Sequence, residues 1–201
     1  MAENKDNQEK SKIAEREEEI QKYWEENQIF EKTLEKEAPN GEFVFYDGPP
    51  FATGLPHYGS LLSSIIKDVI PRYKTMRGYH VRRRWGWDCH GLPIENMIEE
   101  KLGLKDKTEI EKTGVKKFNT ACKESVLRYA KEWKKFIDRV ARWTEYDNAY
   151  MTMDSTYTES VWWALKEIHK KGLLYEGRKV LLYCPHCQTP IAKAEVQMDN
   201  S

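Results

Sequence analysis

No apolar run in this sequence approaches the roughly 20 residues that a bilayer-spanning helix needs. The N-terminus lacks the apolar stretch of a secretory signal, and its many glutamates are unlike an acid-poor transit peptide. A cytosolic chain with no membrane partner is expected. Net charge is also lacking: 33 Lys and Arg balance 33 Asp and Glu, so the global field points to neither nucleic acid nor a lipid surface, and any such partner must be argued locally. Cysteine is scarce. Of Cys89, Cys122, Cys184 and Cys187, only the last two are closely spaced, which excludes a disulfide framework and leaves Cys122 to be read as a small core residue. No internal repeat is visible, and the only biased tract is the charged N-terminus.

What is present is aromatic: seven Trp and eleven Tyr in 201 residues carry more apolar area than a disordered chain would, despite a charged fraction of one third. The length suits one α/β domain with an appendage. Residues 1 to about 12 read as a disordered tail. From Ile13 to Leu34, apolar Ile20, Tyr23, Trp24, Ile29 and Phe30 recur among charges, predicting an amphipathic helix or helix pair that ends at "APNGE". "FVFY" at 43–46 reads as a short buried strand. Leu61, Leu62, Ile65, Ile66, Val69, Ile70 and Tyr73 then follow helical spacing from near His57 or Gly59, and "YHVRRRWGW" reads as the next strand. Strand, helix and strand over about 30 residues make one βαβ unit, with parallel strands and a right-handed crossover. Further helices are predicted over "GLPIENMIEEKLGL", from about Lys116 to Arg142, and near Glu159 to Lys171, before a closing strand "KVLLYC".

Between the first strand and its helix lies "DGPPFATGLPHYGS", residues 47–60. Glycines let the backbone approach a ligand, and the helix that follows presents free N–H groups and the positive end of its dipole, which suits phosphate. Prolines withdraw donors and leave carbonyls, such as that of Pro49, to accept from an ammonium group. In an open parallel sheet, ligands bind beyond the carboxyl ends of the strands, where this loop and "GWDCHG" both arrive, so His57 and Asp88 are expected near one another. The plainer alternative is that "GPP" and "GLP" are only turns.

"PPFATGLPHYGS" and "RGYHVRRRWGWDCHGLPIE", in this order and spacing, closely resemble the N-terminal catalytic half of class I aminoacyl-tRNA synthetases, in particular the isoleucyl-tRNA synthetases. The likeness runs from about residue 15 to 201 and takes in "QKYWEENQIFEKTLE" and "YCPHCQTPIAKAEV". It implies the first half of a Rossmann-like parallel-sheet fold over residues 41–180. A tail and helical extension (1–40) precede it, and 181–201 begin an inserted editing segment. It further implies activation of isoleucine by ATP and Mg²⁺, transfer to tRNA(Ile), and a monomer. Asp88 would bind the α-ammonium group, with Gly48 and the Pro49 carbonyl lining the same site. Thr53 and Gly54 would shape the nucleotide loop, Gly59 would pass against adenine where a Cβ would collide, and His57 would stabilise charge on the α-phosphate.

Ser60 departs from the family pattern, which usually has a second histidine there. A hydroxyl donates one hydrogen bond but carries no charge, and losing a preorganised donor commonly costs about 10²–10³ in rate. Cys184 and Cys187 have the C-x2-C spacing of a zinc knuckle, but a structural zinc needs four ligands; the family's second pair and its "KMSKS" loop are not in this sequence. The chain is therefore expected to be one piece of a longer enzyme, with zinc at most half-bound. Adjacent Cys89 and His90 lack a third group for nucleophilic catalysis and read as packing near the amino-acid site. The basic run Arg72, Lys74, Arg77, Arg82, Arg83, Arg84 reads as a solvated face. Two other readings are a stand-alone nucleotidyltransferase, which "GWDCHGLPIE" opposes, and a non-enzymatic interaction module.

Overall fold

The computed structural model describes residues 11–52 and 54–193. Their order is α1 (Lys12–Glu26), α2 (Ile29–Glu35), α3 (Tyr58–Met76), β1 (Arg84–Trp87), α4 (Leu92–Leu102), α5 (Lys107–Thr113), α6 (Val115–Ser125), α7 (Ala130–Arg139), β2 (Glu145–Met151), α8 (Ser155–Lys170), β3 (Leu182–Cys184) and β4 (Thr189–Ile191). The fold is mixed α/β, and no described helix is long and apolar enough to cross a membrane. The chain divides into two compact units: one holds residues through Asp47, His57–Arg84 and Lys135–Glu145, the other Gly48–Pro56, Trp85–Lys134 and the chain from Tyr146.

In the first unit, the tail expected over residues 1–12 lies outside the described residues as far as residue 10. Ser11 already caps α1, its hydroxyl accepting from Ala14 N–H at 3.2 Å. The N-terminal helical pattern is a pair, broken where Gln28 turns left-handed at φ 50°. A parallel bridge joins Glu42 to His80, with Phe43 N–H donating to His80 O and His80 N–H to Gly41 O, both at 2.9 Å. α3 connects the two sides of that bridge, so the parallel crossover read from the sequence is present. The buried strand expected at 43–46 is not. Phe43 and Phe45 are half-buried, but Val44 is 72% and Tyr46 88% exposed, because only one face of this extended run is covered and Pro49 and Pro50 have no N–H with which to continue a ladder.

α3 buries a side that the sequence pattern does not advertise. Ser60, Ser64, Pro71 and Thr75 form its buried stripe, whereas Leu62, Ile65, Ile66, Val69, Ile70 and Tyr73 are exposed. Small side chains let the helix approach its neighbours closely. Thr75 and Thr33 hydroxyls accept from the Arg83 guanidinium at 3.0 and 2.9 Å. Arg83 is only 3% exposed. Burial, with repulsion from Arg72 adding to it, pulls its pKa down to about 10. Arg72 lies 3.7 Å over the Trp143 ring and pairs with Asp68 at 2.5 Å. Two members of the basic run are thus structural, which corrects the reading of all six as a solvated face.

The second unit contains most of the β1–β2 pair. Glu145 N–H donates to Arg83 O and Thr152 N–H to Trp87 O; the partner numbers rise together, so the pair is parallel. Trp85 and Trp87 pack with Trp133 and Tyr146 at ring-centroid distances of 5.2–6.1 Å. A second cluster, Ile98, Ile110 and Phe118, joins α4, α5 and α6, and partly buried Cys122 packs against it. The single helix expected from Lys116 to Arg142 is two, α6 and α7. Residues between them take i→i−3 bonds, Arg128 N–H to Ser125 O and Ala130 N–H to Leu127 O, both at 3.2 Å. β3 forms with β4 an antiparallel hairpin that starts later than "KVLLYC" suggested, because Lys179–Leu181 are exposed and unpaired in the register.

Candidate functional site

The loop after residue 47 is held by backbone. A parallel bridge joins Phe51 to Asp88, Ala52 N–H donates to Asp88 O at 3.1 Å, and Asp88 N–H donates to Pro50 O at 2.9 Å. The second unit therefore pairs the stretch Pro50–Ala52, which directly follows Gly48 and Pro49, with Asp88; Gly54 lies just beyond it, and Thr53 lies outside the described residues. Among the described residues no N–H or O–H donates to the Pro49 carbonyl. The half-buried Asp88 carboxylate has no cationic partner among them either. The Asp88 carboxylate and the Pro49 carbonyl are both acceptors, the chemistry that an ammonium group requires.

The segment behind Asp88 is built by residues the sequence did not single out. Buried Thr152 accepts from Cys89 N–H at 2.9 Å and lies 3.2 Å from His90 Nδ1. The Cys89 thiol donates to Trp87 O at 3.3 Å, and burial raises its pKa, which keeps it a thiol. This agrees with a packing role rather than a nucleophile.

In the first unit, His57 is the N-cap of α3. Its Nδ1 accepts from Gly59 N–H at 3.1 Å, while its own backbone N–H donates to Ser60 Oγ at 3.2 Å, completing a capping box. An accepting Nδ1 leaves the proton on Nε2, so the exposed edge of the neutral ring is a donor. A Cβ on Gly59 would meet His57 Cε1 at 2.9 Å, so a larger residue there would push the exposed histidine ring off its cap. Ser60, 9% exposed, has a local task at the position where the family pattern usually places histidine. We expect Ser60→Ala to lower unfolding free energy by about 1 kcal/mol, the usual worth of a cap. A urea titration showing no change would refute that role.

Asp47, the first residue of the loop, was not anticipated as important. Its carboxylate bonds Lys67 at 2.8 Å and the Arg142 guanidinium, with both Asp47 and Arg142 side chains almost fully buried. Arg142 turns inward because Ala141 adopts a left-handed φ of 56° at the end of α7. The proximity of Asp47 to "GPP" was the only signal in the sequence.

At the hairpin, Cys187 N–H approaches Cys184 Sγ at 3.4 Å, the turn of a knuckle. His186 faces Glu99 at 3.5 Å. Burial and the neighbouring Cys184 raise the Cys187 pKa. Among the described residues no three His, Cys, Asp or Glu are grouped to hold a metal, so the residues present do not fit a complete zinc site.

The model of the family described as tRNA synthetases class I (I, L, M and V) matches residues 19–201. The chain is 53% identical over 186 residues to the isoleucine–tRNA ligase of Treponema denticola, covering 92% of this chain and 17% of that protein. It is 51% identical over 185 residues to that of Ehrlichia canis, covering 92% and 16%. To isoleucine–tRNA ligase 2 of Pseudomonas fluorescens it is 52% identical over 178 residues, covering 89% and 17%. The chain thus spans about 17% of the length of the curated relatives it matches. A solved LeuRS of Agrobacterium radiobacter K84, in ternary complex with tRNA and LeuAMS, superposes with a TM-score of 0.54 at 25% identity, covering 90% of this chain and 20% of that one. The chain belongs to the class I tRNA synthetases, in the group that comprises the I, L, M and V enzymes.

Proposed function

We propose that this chain supplies the amino-acid and nucleotide contacts of an isoleucine-activating synthetase. Residues 41–180 would serve as the first half of its catalytic domain, and 181–201 would open an inserted segment. Asp88 binds the α-ammonium group of isoleucine, with Gly48 and the Pro49 carbonyl beside it. Thr53, Gly54, Gly59 and Ser60 shape the ATP site, and His57 offers its Nε2–H to the phosphate as the substrate carboxylate attacks. ATP arrives with Mg²⁺, and the isoleucyl group passes to tRNA(Ile) in the whole enzyme. The names of the relatives favour isoleucine over valine or leucine.

The observation that carries this reading is the half-buried Asp88 carboxylate, backed by main-chain bonds to the glycine- and proline-rich loop and with no cation of its own among the described residues. Titration calorimetry with a non-hydrolysable isoleucyl-adenylate analogue tests it. The wild-type chain is expected to bind, and Asp88→Asn to bind about tenfold more weakly, since a charge-assisted hydrogen bond exceeds a neutral one by about 1–2 kcal/mol. A folded chain that shows no binding, or an Asn variant that binds equally well, defeats the proposal.

A further inference from the structure

The Gly54 carbonyl accepts a 2.7 Å hydrogen bond from the indole Nε1–H of Trp133, a residue 79 positions away on α7. Both ends of that bond are unambiguous, because an indole nitrogen only donates and a carbonyl only accepts. Trp133 is itself immobilised: it is 4% exposed, and its ring packs at 5.9 Å from Trp85 and 6.1 Å from Trp87. Phe51 and Leu55 are about half exposed, and nothing lies within 4 Å of where a Gly54 Cβ would stand. The orientation of the Gly54–Leu55 peptide is thus dictated by a rigid donor in the aromatic core.

That constraint has a direct chemical consequence. A trans peptide is planar, with its C=O and the following N–H pointing in opposite directions. There are no cis peptide bonds in the described chain. With the Gly54 carbonyl directed at Trp133, the Leu55 N–H must point away from the core. Among the described residues it meets no acceptor, and Leu55 is exposed. Pro56 follows and offers no N–H of its own, so Leu55 is the last main-chain donor before the His57 cap.

We infer that Trp133 is a positioning residue that aims the Leu55 backbone N–H outward as a fixed donor to an anionic phosphate oxygen of the nucleotide. The inference rests on the proposed ATP-binding reading of this loop. It adds one main-chain donor and the side chain that orients it. A preoriented donor is effective because no reorganisation is needed when the anion arrives.

Two variants separate this role from mere packing. Trp133→Phe keeps an aromatic ring in the cluster and deletes the Nε1–H; Leu55→Pro deletes the outward N–H and leaves Trp133 untouched. Calorimetry with ATP and, separately, with isoleucine is the main measurement. Amide hydrogen exchange over residues 51–57 is the control on Trp133→Phe. The expected result is about a tenfold loss of ATP affinity in each variant, isoleucine affinity held within twofold, and faster exchange over 51–57 in Trp133→Phe with global unfolding little changed. Equal losses for ATP and isoleucine would mean a general structural role and overturn the inference. Unchanged ATP affinity in either variant would overturn it as well, leaving the nucleotide reading intact. Absence of ATP binding by the wild-type chain would defeat the nucleotide reading and this inference together, while the exchange measurement would still report whether Trp133 anchors the loop.

Discussion

Asp47→Ala is expected to lower the unfolding free energy by about 3–5 kcal/mol, the cost of leaving a buried charge without its partner. Asp47 receives the Lys67 ammonium at 2.8 Å and the guanidinium of Arg142, whose side chain is 5% exposed. Removing the carboxylate takes from the buried Arg142 cation the counter-charge that Asp47 supplies. At about 2–4 °C per kcal/mol for a chain of this size, the midpoint should fall by about 10 °C. A paired variant isolates the cause. Asp47→Leu combined with Arg142→Met replaces both charges by apolar groups of similar reach and is expected to lose far less than Asp47→Ala alone, because the penalty belongs to the orphaned ion. Urea unfolding of the three proteins decides it; a single variant within 1 kcal/mol of wild type, or a double variant as unstable as the single, would show that the pair is incidental.

Gly86→Ala should cost about 2–3 kcal/mol, at the upper end for overpacking a well-filled interior. Gly86 sits in β1 between buried Trp85 and Trp87, and a Cβ there would lie 2.2 Å from Tyr150 Cζ and 2.4 Å from its Cε1. Swinging Tyr150 aside would break its stack on Tyr157, whose ring lies at 5.9 Å with the planes 3° apart. Either the stack or the β1–β2 pairing must yield. Because the collision is with one side chain, Gly86→Ala/Tyr150→Ala should be less unstable than the two single losses summed, by 1 kcal/mol or more. Thermal unfolding of the four-member cycle measures this. Strict additivity would mean that the glycine is needed for some other reason. Since Asp88 lies two residues beyond Gly86, the adenylate analogue should also bind Gly86→Ala more weakly.

Much of the architecture was readable from residue order because it is locally encoded. The N-terminal helical pattern, the start of α3 near His57 or Gly59, the parallel crossover and the break after α4 all follow from spacing, capping residues and glycine or proline placement. What failed were inferences from apolar content to burial. "FVFY" looks like a core strand, yet Val44 and Tyr46 face outward. Val126, Trp133 and Ile137 are buried, but the single helix expected from Lys116 to Arg142 is interrupted where short-range turns at Arg128 and Ala130 replace the helical bonds. β2, "EYDNAYM", was missed because its alternation is polar and its order comes from pairing with β1 some 60 residues earlier.

The candidate site divides along the same line. The family was legible because two motifs resemble it, and the character of the loop was legible because backbone freedom at glycine, the lost donors of proline and a helix cap are properties of neighbouring residues. Tertiary structure alone decided three things. It set which side of α3 is buried, gave Asp47 a guanidinium 95 positions away, and bonded Gly54 to an indole 79 positions away. Periodicity marks a residue as interior but carries no information about which distant donor the folded chain will set against a given acceptor; that is chosen only when packing brings the two together.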